Sequence, residues 1–274
     1  MIKLFVADID HTLYCAKEDN IPQKNIEAIN KLIEKGITIC FASSRVYDGM
    51  KEVIEMFDLK KNKGYAIAVN GSLVIRSSDD EVLIDDHFTL SQIKQMHQLA
   101  QDLNISFNIA QSDFNIATSY CEILQYDFDS VNMDFIVTND VFKYIKDPVY
   151  RVGFSNDGGS DEKLLAMVKK DGGDEFSFNI PQPSTVDVSL KHVNKLTGLL
   201  EVIKDMGISL DEVATIGDND NDVVMLEAAG ISACVANGST AAKKAAKYQV
   251  SDCASAGVAE FIEKYILKED RVDD

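Results

Sequence analysis

Apolar residues near the start of the chain come in short, nearly unbroken runs. Lys3 to Ala7 is continuous after one lysine, and Ile37 to Ala42 and Tyr65 to Val69 follow at intervals. Runs of this kind predict strands buried on both faces. Between the first two, Gln23 to Lys35 sets Ile26, Ile29, Leu32 and Ile33 on one side of a helix. Pro22 is placed to open that helix and Gly36 to close it. Val46 to Phe57 predicts another helix. The order β-α-β-α-β is that of a doubly wound parallel sheet, an α/β Rossmann-like core.

The pattern then changes. Ser72 to Ile75 and Glu81 to Ile84 flank the polar turn Ser77-Ser78-Asp79-Asp80 and predict a hairpin. From about Phe88 to Val186 two helices (Ser91 to Leu103, Asp161 to Lys170) mix with short strands. These are Ser106 to Ala110, Asn115 to Thr118, Asp134 to Val137, Tyr150 to Phe154 and Glu175 to Ile180. Gly158-Gly159 and Gly172-Gly173 punctuate the segment, which reads as an α+β insert with an antiparallel sheet. After Pro183 the parallel order returns, with helices at Asn194 to Met206, Asp220 to Ala228, Thr240 to Lys247 and Val258 to Leu267. Strands are expected at Glu212 to Ile216 and Ile231 to Val235. The simplest organisation is a core built from residues 1–85 and 187–274, with residues 86–186 as an inserted cap. Pro181-Gln182-Pro183 would stiffen the return from cap to core, and the charged tail Lys268 to Asp274 is expected to fray.

Composition narrows the function. With 274 residues and 46% hydrophobic content the chain can bury a full core. Its formal net charge of -18 argues against nucleic acid and anionic membrane as partners, since basic patches hold both. Cys15, Cys40, Cys121, Cys234 and Cys253 are scattered, without a CxxC pair, so zinc is not expected. Cys40 and Cys234 read as core thiols and Cys15 as a small packing residue, a pattern that suits a reducing interior. MIKLFVAD meets acid too early for a signal peptide, and no apolar stretch is long enough to span a bilayer. The expected location is cytoplasmic.

The candidate chemistry sits at two strand ends far apart in sequence. FVADIDHT (Phe5 to Thr12) and ATIGDNDND (Ala214 to Asp222) each put carboxylates where a buried strand should stop. Ligands bind at such strand ends in open α/β sheets. Asp8, Asp10, Asp218 and Asp222 cannot all stay ionised at short range without a cation, and Mg²⁺ suits oxygen donors. A carboxylate nucleophile can form an acyl-phosphate, and a second carboxyl nearby can give and take the proton. A lone DxD is also a common turn or cap. DNDND lacks the glycine and distal glutamate of a calcium-binding EF-hand loop.

FVADIDHT resembles the DxDx[TV] signature of the haloacid dehalogenase-like hydrolase superfamily, and GDNDND its GDxxND signature. The likeness covers about Met1 to Asp85 and Asp187 to Tyr265, and the size and position of the insert resemble the Cof-type phosphatases with a large α+β cap. The resemblance implies that Asp8 is nucleophile and metal ligand. It implies that Asp10 is the general acid/base and lends its backbone carbonyl to the metal, and that Thr12 steadies the loop. Asp218 would be the third ligand, Asp222 would act on the metal through water or orient a lysine, and Asn221 would contact phosphate or metal-bound water. Where the family usually carries glycine this chain has His11, which we take to tolerate the backbone bend rather than to touch substrate.

In CFASSRV (Cys40 to Val46), a hydroxyl at a strand end can donate to a phosphate oxygen, and it can also be a plain helix N-cap. The family's Thr-Gly-Arg becomes Ser43-Ser44-Arg45, so Ser43 matches the phosphate-binding hydroxyl. Ser44 replaces the glycine, and Arg45 either binds the organic part of the substrate or braces its loop. A lysine beside Asp8 would offset carboxylate and phosphate charge. Lys195, at a helix start, matches the family position, and Lys191 reads as a surface or hinge residue. Asn70-Gly71 and Asn237-Gly238 follow core strands, the first either lining the substrate entrance or only turning the chain.

The resemblance thus implies a Mg²⁺-dependent phosphatase that hydrolyses a small phosphorylated metabolite, a sugar phosphate or similar, through an aspartyl-phosphate. Two alternatives stand beside it: a phosphosugar mutase, which uses the same first half-reaction, and a non-enzymatic phospho-aspartate signalling or binding module. Oligomeric state and the selecting cap residues are not legible.

Overall fold

The computed structural model describes residues 1–15, 20–111, 114–120, 134–146, 148–155, 161–180 and 184–268. Cys121, Gly158-Gly159, Pro181-Gln182-Pro183 and the tail beyond Lys268 lie outside the described residues.

The chain forms two compact units. The first comprises Met1–Ser44, Lys51–Ile84 and Asn194–Asp274, and the second Arg45–Met50 and Asp85–Val193. In the first, strands β1 (Leu4–Ala7), β2 (Thr38–Ala42), β3 (Tyr65–Ala68), β4 (Leu73–Arg76) and β5 (Glu81–Asp85) come from the N-terminal part of the chain. In the second, β6 (Ser106–Ala110), β7 (Phe114–Ala117), β8 (Asp134–Val137), β9 (Arg151–Ser155), β10 (Phe176–Asn179) and β11 (Thr185–Leu190) follow. The first unit is then completed by β12 (Val213–Gly217), β13 (Ile231–Val235) and β14 (Tyr248–Val250).

The first sheet has the order β14-β13-β12-β1-β2-β3-β4-β5. Pairing is parallel from β14 to β3 and antiparallel between β3 and β4. Each residue of β1 is fully buried because both faces are covered. Leu4 and Val6 join a cluster with Leu199 and Val202 of the helix Lys195–Met206. Phe5 points the other way, its ring 6.4 Å from that of Phe261 in the helix Gly257–Phe261. Alternate residues of one strand thus feed two layers of helices, as expected of an α/β doubly wound fold. Chain order runs outward from β1 through β2 and β3 on one side, and from β12 through β13 and β14 on the other. β1 and β12 therefore flank the topological switch point, where a crevice opens beyond the strands' C-terminal ends.

The second unit is a six-stranded sheet in the order β10-β11-β9-β6-β7-β8, antiparallel except for the parallel pair β7–β8. The helices Leu90–Leu103 and Asp161–Asp171 supply Ile93, Met96, Leu99, Leu164 and Val168 to a core shared with Phe107, Phe154, Val186 and Val188. Thr89 and Gln92 close a capping box at the start of the first helix.

Several elements differ from expectation. The region 187–190, expected to open the return to the core, is the last four residues of β11, paired antiparallel with β9 and β10 in the second sheet. The predicted helix Val46 to Phe57 is a 3₁₀ turn, Tyr47–Met50, followed by a short α-helix, Lys51–Met56. The predicted helix to Lys247 stops at Ala245, and the edge strand β14 follows. Among the described residues no helix is long and apolar enough to cross a membrane.

Candidate active site

The two acidic motifs meet at the switch point. Ala7 is opposite Ile216 in the β1–β12 register, and the Asp8 N–H donates to the Ile216 carbonyl at 3.0 Å. Asp8 and Asp218 therefore leave neighbouring strands at the same edge. Carboxylate oxygens of Asp8, Asp218 and Asp222 lie within 4.8 Å of one another, and all three residues are buried.

The turn after β12 is shaped around Asp222. Its Oδ2 accepts from the backbone N–H groups of Asp218 at 3.0 Å and Asn219 at 2.9 Å. A Cβ on Gly217 would stand 2.5 Å from the Asp222 carboxyl carbon, so this position requires glycine. Asp222 Oδ1 faces Lys195 at 2.6 Å, and Asp8 Oδ1 takes the same ammonium at 2.6 Å. Lys195 is fully buried at the first position of its helix, where Asn194 and Thr197 form a capping box. A cation there opposes the helix dipole, and the two carboxylates compensate for it.

Electrostatics record an excess of negative charge. Burial raises the Asp8 carboxyl well above its ordinary range; Lys195 opposes that, while Asp222, Asp218 and, more weakly, Asp10 add to it. Burial and the Asp222 charge push Asp218 up to about 6 against the hydrogen bond from Thr12. That bond, Thr12 Oγ1 to Asp218 Oδ1, is 3.1 Å long and ties the two motifs together. Burial alone would discharge Lys195, but Asp222 and Asp8 outweigh it and hold its pKa above the ordinary value.

One atom is left over. Asp8 Oδ2 is buried with no hydrogen-bond partner among the described residues. A buried carboxylate oxygen without a donor is costly, and an all-oxygen set with surplus negative charge fits a hard divalent cation such as Mg²⁺. Asp10 is not in the converging triad; it is half-buried, on the loop where it bridges Tyr14.

The remaining predicted residues divide between the two units. Ser43, fully buried at the end of β2, donates its N–H to the Ile67 carbonyl. Ser44 ends this segment of the first unit and is half-buried. Arg45 belongs to the second unit and donates from Nη1 to the Gly49 carbonyl at 3.0 Å, bracing its own turn. Asn221 donates from Nδ2 to Asn70 Oδ1 at 2.9 Å. Lys191 is exposed. His11 is also exposed and has φ 63°, the left-handed conformation that glycine adopts without strain.

Two features escaped the sequence reading. Cys15 is not merely a packing residue: it forms a disulfide with Cys253, across 238 residues. Asn237 ties the same two loops, donating from Nδ2 to the His11 carbonyl at 2.8 Å and accepting the Cys253 N–H at 2.9 Å. Contacts this remote leave no local signal beyond Asn237-Gly238 standing at a strand end.

The profile of the haloacid dehalogenase-like hydrolases matches residues 5–262, and the chain belongs to that family. The 5-amino-6-(5-phospho-D-ribitylamino)uracil phosphatase YcsE of Bacillus subtilis (strain 168) is 23% identical over 276 residues, covering 97% of this chain and 96% of its own. A solved haloacid dehalogenase-like hydrolase from Bacteroides thetaiotaomicron superposes with a TM-score of 0.85 at 23% identity, over 96% of this chain and 99% of that one. The subclass IIB sugar phosphatase BT4131 superposes with a TM-score of 0.82 at 20% identity, over 97% and 99%.

Proposed function

We propose that this hydrolase is a Mg²⁺-dependent phosphomonoesterase acting on a small phosphorylated metabolite through an aspartyl-phosphate. The observation that carries the reading is the buried cluster in which Lys195 bridges Asp8 and Asp222 while Asp8 Oδ2 is left without a partner. Asp8, Asp218, Asp222 and the backbone carbonyl of Asp10 would hold Mg²⁺. When bound, the ion neutralises carboxylate and phosphoryl charge.

Asp8 attacks phosphorus through a carboxylate oxygen, forming a P–O bond as the bond to the leaving oxygen breaks. Asp10 gives that oxygen its proton, then takes one from the water that hydrolyses the aspartyl-phosphate, and inorganic phosphate leaves. Lys195 and the Ser43 hydroxyl stabilise the phosphoryl oxygens, with Ser44 and Asn221 completing the cradle. Arg45 braces the loop that follows.

In this reading the first unit, Met1–Ser44, Lys51–Ile84 and Asn194–Asp274, carries the chemistry, and the second selects the substrate. The names of YcsE and BT4131 favour a phosphorylated sugar or polyol derivative. The reading calls for no nucleic-acid or membrane partner. It sets the enzyme in the cytoplasm, a reducing compartment in which the Cys15–Cys253 disulfide is an exception.

A phosphate-release screen over a metabolite panel, with and without Mg²⁺, tests the proposal beside Asp8→Asn and Asp10→Asn. Wild type should turn over only with the metal, and both variants should fold but lose turnover. Full activity in Asp8→Asn would refute the assignment of the nucleophile.

A further inference from the structure

Beyond β3 the chain takes a strained path. Val69, Asn70 and Gly71 follow one another with φ of 46°, 54° and 107°. Left-handed backbone suits glycine and is tolerated by asparagine, but for a β-branched valine it is a genuine outlier. Such a turn persists only where its surroundings over-determine it, and turns of this kind cluster at functional sites.

The surroundings here are the pieces of the acidic site. The Asn70 N–H donates to the Ser43 carbonyl at 2.9 Å. Gly71 lies so close to Asn194 that a Cβ would stand 2.4 Å from its carbonyl oxygen, and Asn194 caps the helix that begins with Lys195. Asn70 Oδ1 accepts from Asn221 Nδ2 across 151 residues. One short turn therefore touches the strand end that offers Ser43, the helix start that offers Lys195 and the loop that offers Asn221.

The last contact has a chemical consequence. Asn70 takes up one end of the Asn221 carboxamide, and the other end is left buried without a partner among the described residues. Two carboxamides hold each other equally well in either sense, so the contact fixes the plane of the Asn221 amide rather than which atom donates. We propose that Asn70 is a positioning residue that fixes the Asn221 carboxamide so that its other end meets a phosphate oxygen or a water molecule at the site. The place of this contact in catalysis rests on the phosphatase reading; the contact itself does not.

The test separates the two. Asn70→Gly keeps a backbone that accepts the left-handed turn but deletes the side-chain partner, and Asn70→Asp keeps both. In ¹⁵N-labelled protein the Asn221 side-chain amide should exchange slowly in wild type and Asn70→Asp and rapidly in Asn70→Gly. Equal exchange in all three overturns the proposal, whatever the activity. In phosphate release, Asn70→Gly and Asn221→Ala should each lower kcat by about tenfold to a hundredfold with little change in KM. The double variant should be no slower than Asn221→Ala. Losses that multiply would show that Asn70 does not act through Asn221 and would overturn the proposal. A wild type that releases no phosphate from any substrate would sink the phosphatase reading, while amide exchange still decides the role of Asn70.

Discussion

Two places in the first unit gather carboxylates around one cation, and they behave in opposite ways. At the C-terminal edge of the sheet, Lys195 meets Asp8 and Asp222, with Asp218 beside them. Near the other end of β3, Arg76 meets Asp79, Glu81 and Asp205, and Tyr65 also donates to Asp205. The charge ratio is the same, but the burial is not. Lys195 and Asp222 are fully buried, whereas the Arg76 side chain is 25% exposed and that of Glu81 55%. Around Arg76, its hydrogen bonds pull the Asp79 carboxyl below its ordinary value. Around Lys195, burial drives the Asp8 and Asp218 carboxyls up. Water relieves one cluster, and the other is left wanting another positive charge. Composition alone does not make a cation site; desolvation of surplus acid does.

The sharpest way to break this contrast is to remove each cation. Lys195→Met leaves buried carboxylates uncompensated and should destabilise the metal-free protein by about 3–5 kcal/mol in denaturant melts. An undiminished midpoint would mean that the cluster is wetter than its burial indicates. The buried cluster also has a covalent brace that the Arg76 cluster lacks. Reducing Cys15–Cys253, or replacing both with serine, should lower stability by about 2–4 kcal/mol and loosen the Asp8 loop, as read by hydrogen exchange at His11 and Thr12.

The pH dependence should run in opposite directions at the two places. A carboxyl raised in the folded state stabilises the protein below its unfolded value, and that contribution is lost as pH rises through the folded one. For Asp218 in metal-free protein the loss falls between the ordinary 3.8 and about 6. Asp218→Asn should flatten stability against pH over that window. Asp79 is lowered, so its contribution is present above 3.8 and disappears as pH falls. The smallest effect is expected from Arg76→Met, whose melting temperature should stay near that of wild type because exposed pairs contribute little.

Much of the core was legible because each buried strand announced itself as an apolar run, and the acids followed directly at Asp8 and Asp218. The second unit was harder. Thr185–Leu190 buries Thr185, Val186, Val188 and Leu190, with Asp187 and Ser189 only partly covered, which is the alternation of a one-sided strand. Its position just after Pro183 made it look like the return to the core. Val46 to Phe57 failed as a helix because Gly49 sits in a 3₁₀ turn that ends where the α-helix starts. β14 is three residues long at a sheet edge, too short to carry a pattern. The Cys15–Cys253, Asn237–His11 and Asn70–Asn221 contacts depend on which loops share a sheet edge. Strand order decides that, and no local stretch of sequence encodes it.

The central claim is that Asp8 carries the phosphoryl group during turnover. Acid quenching of wild type with substrate and Mg²⁺, followed by borohydride reduction and peptide mass analysis, reads this directly. Asp8 should be converted to homoserine only when substrate and metal are both present, and not at all in Asp8→Asn. Modification at another carboxylate, or steady phosphate release with Asp8 never labelled, would contradict it.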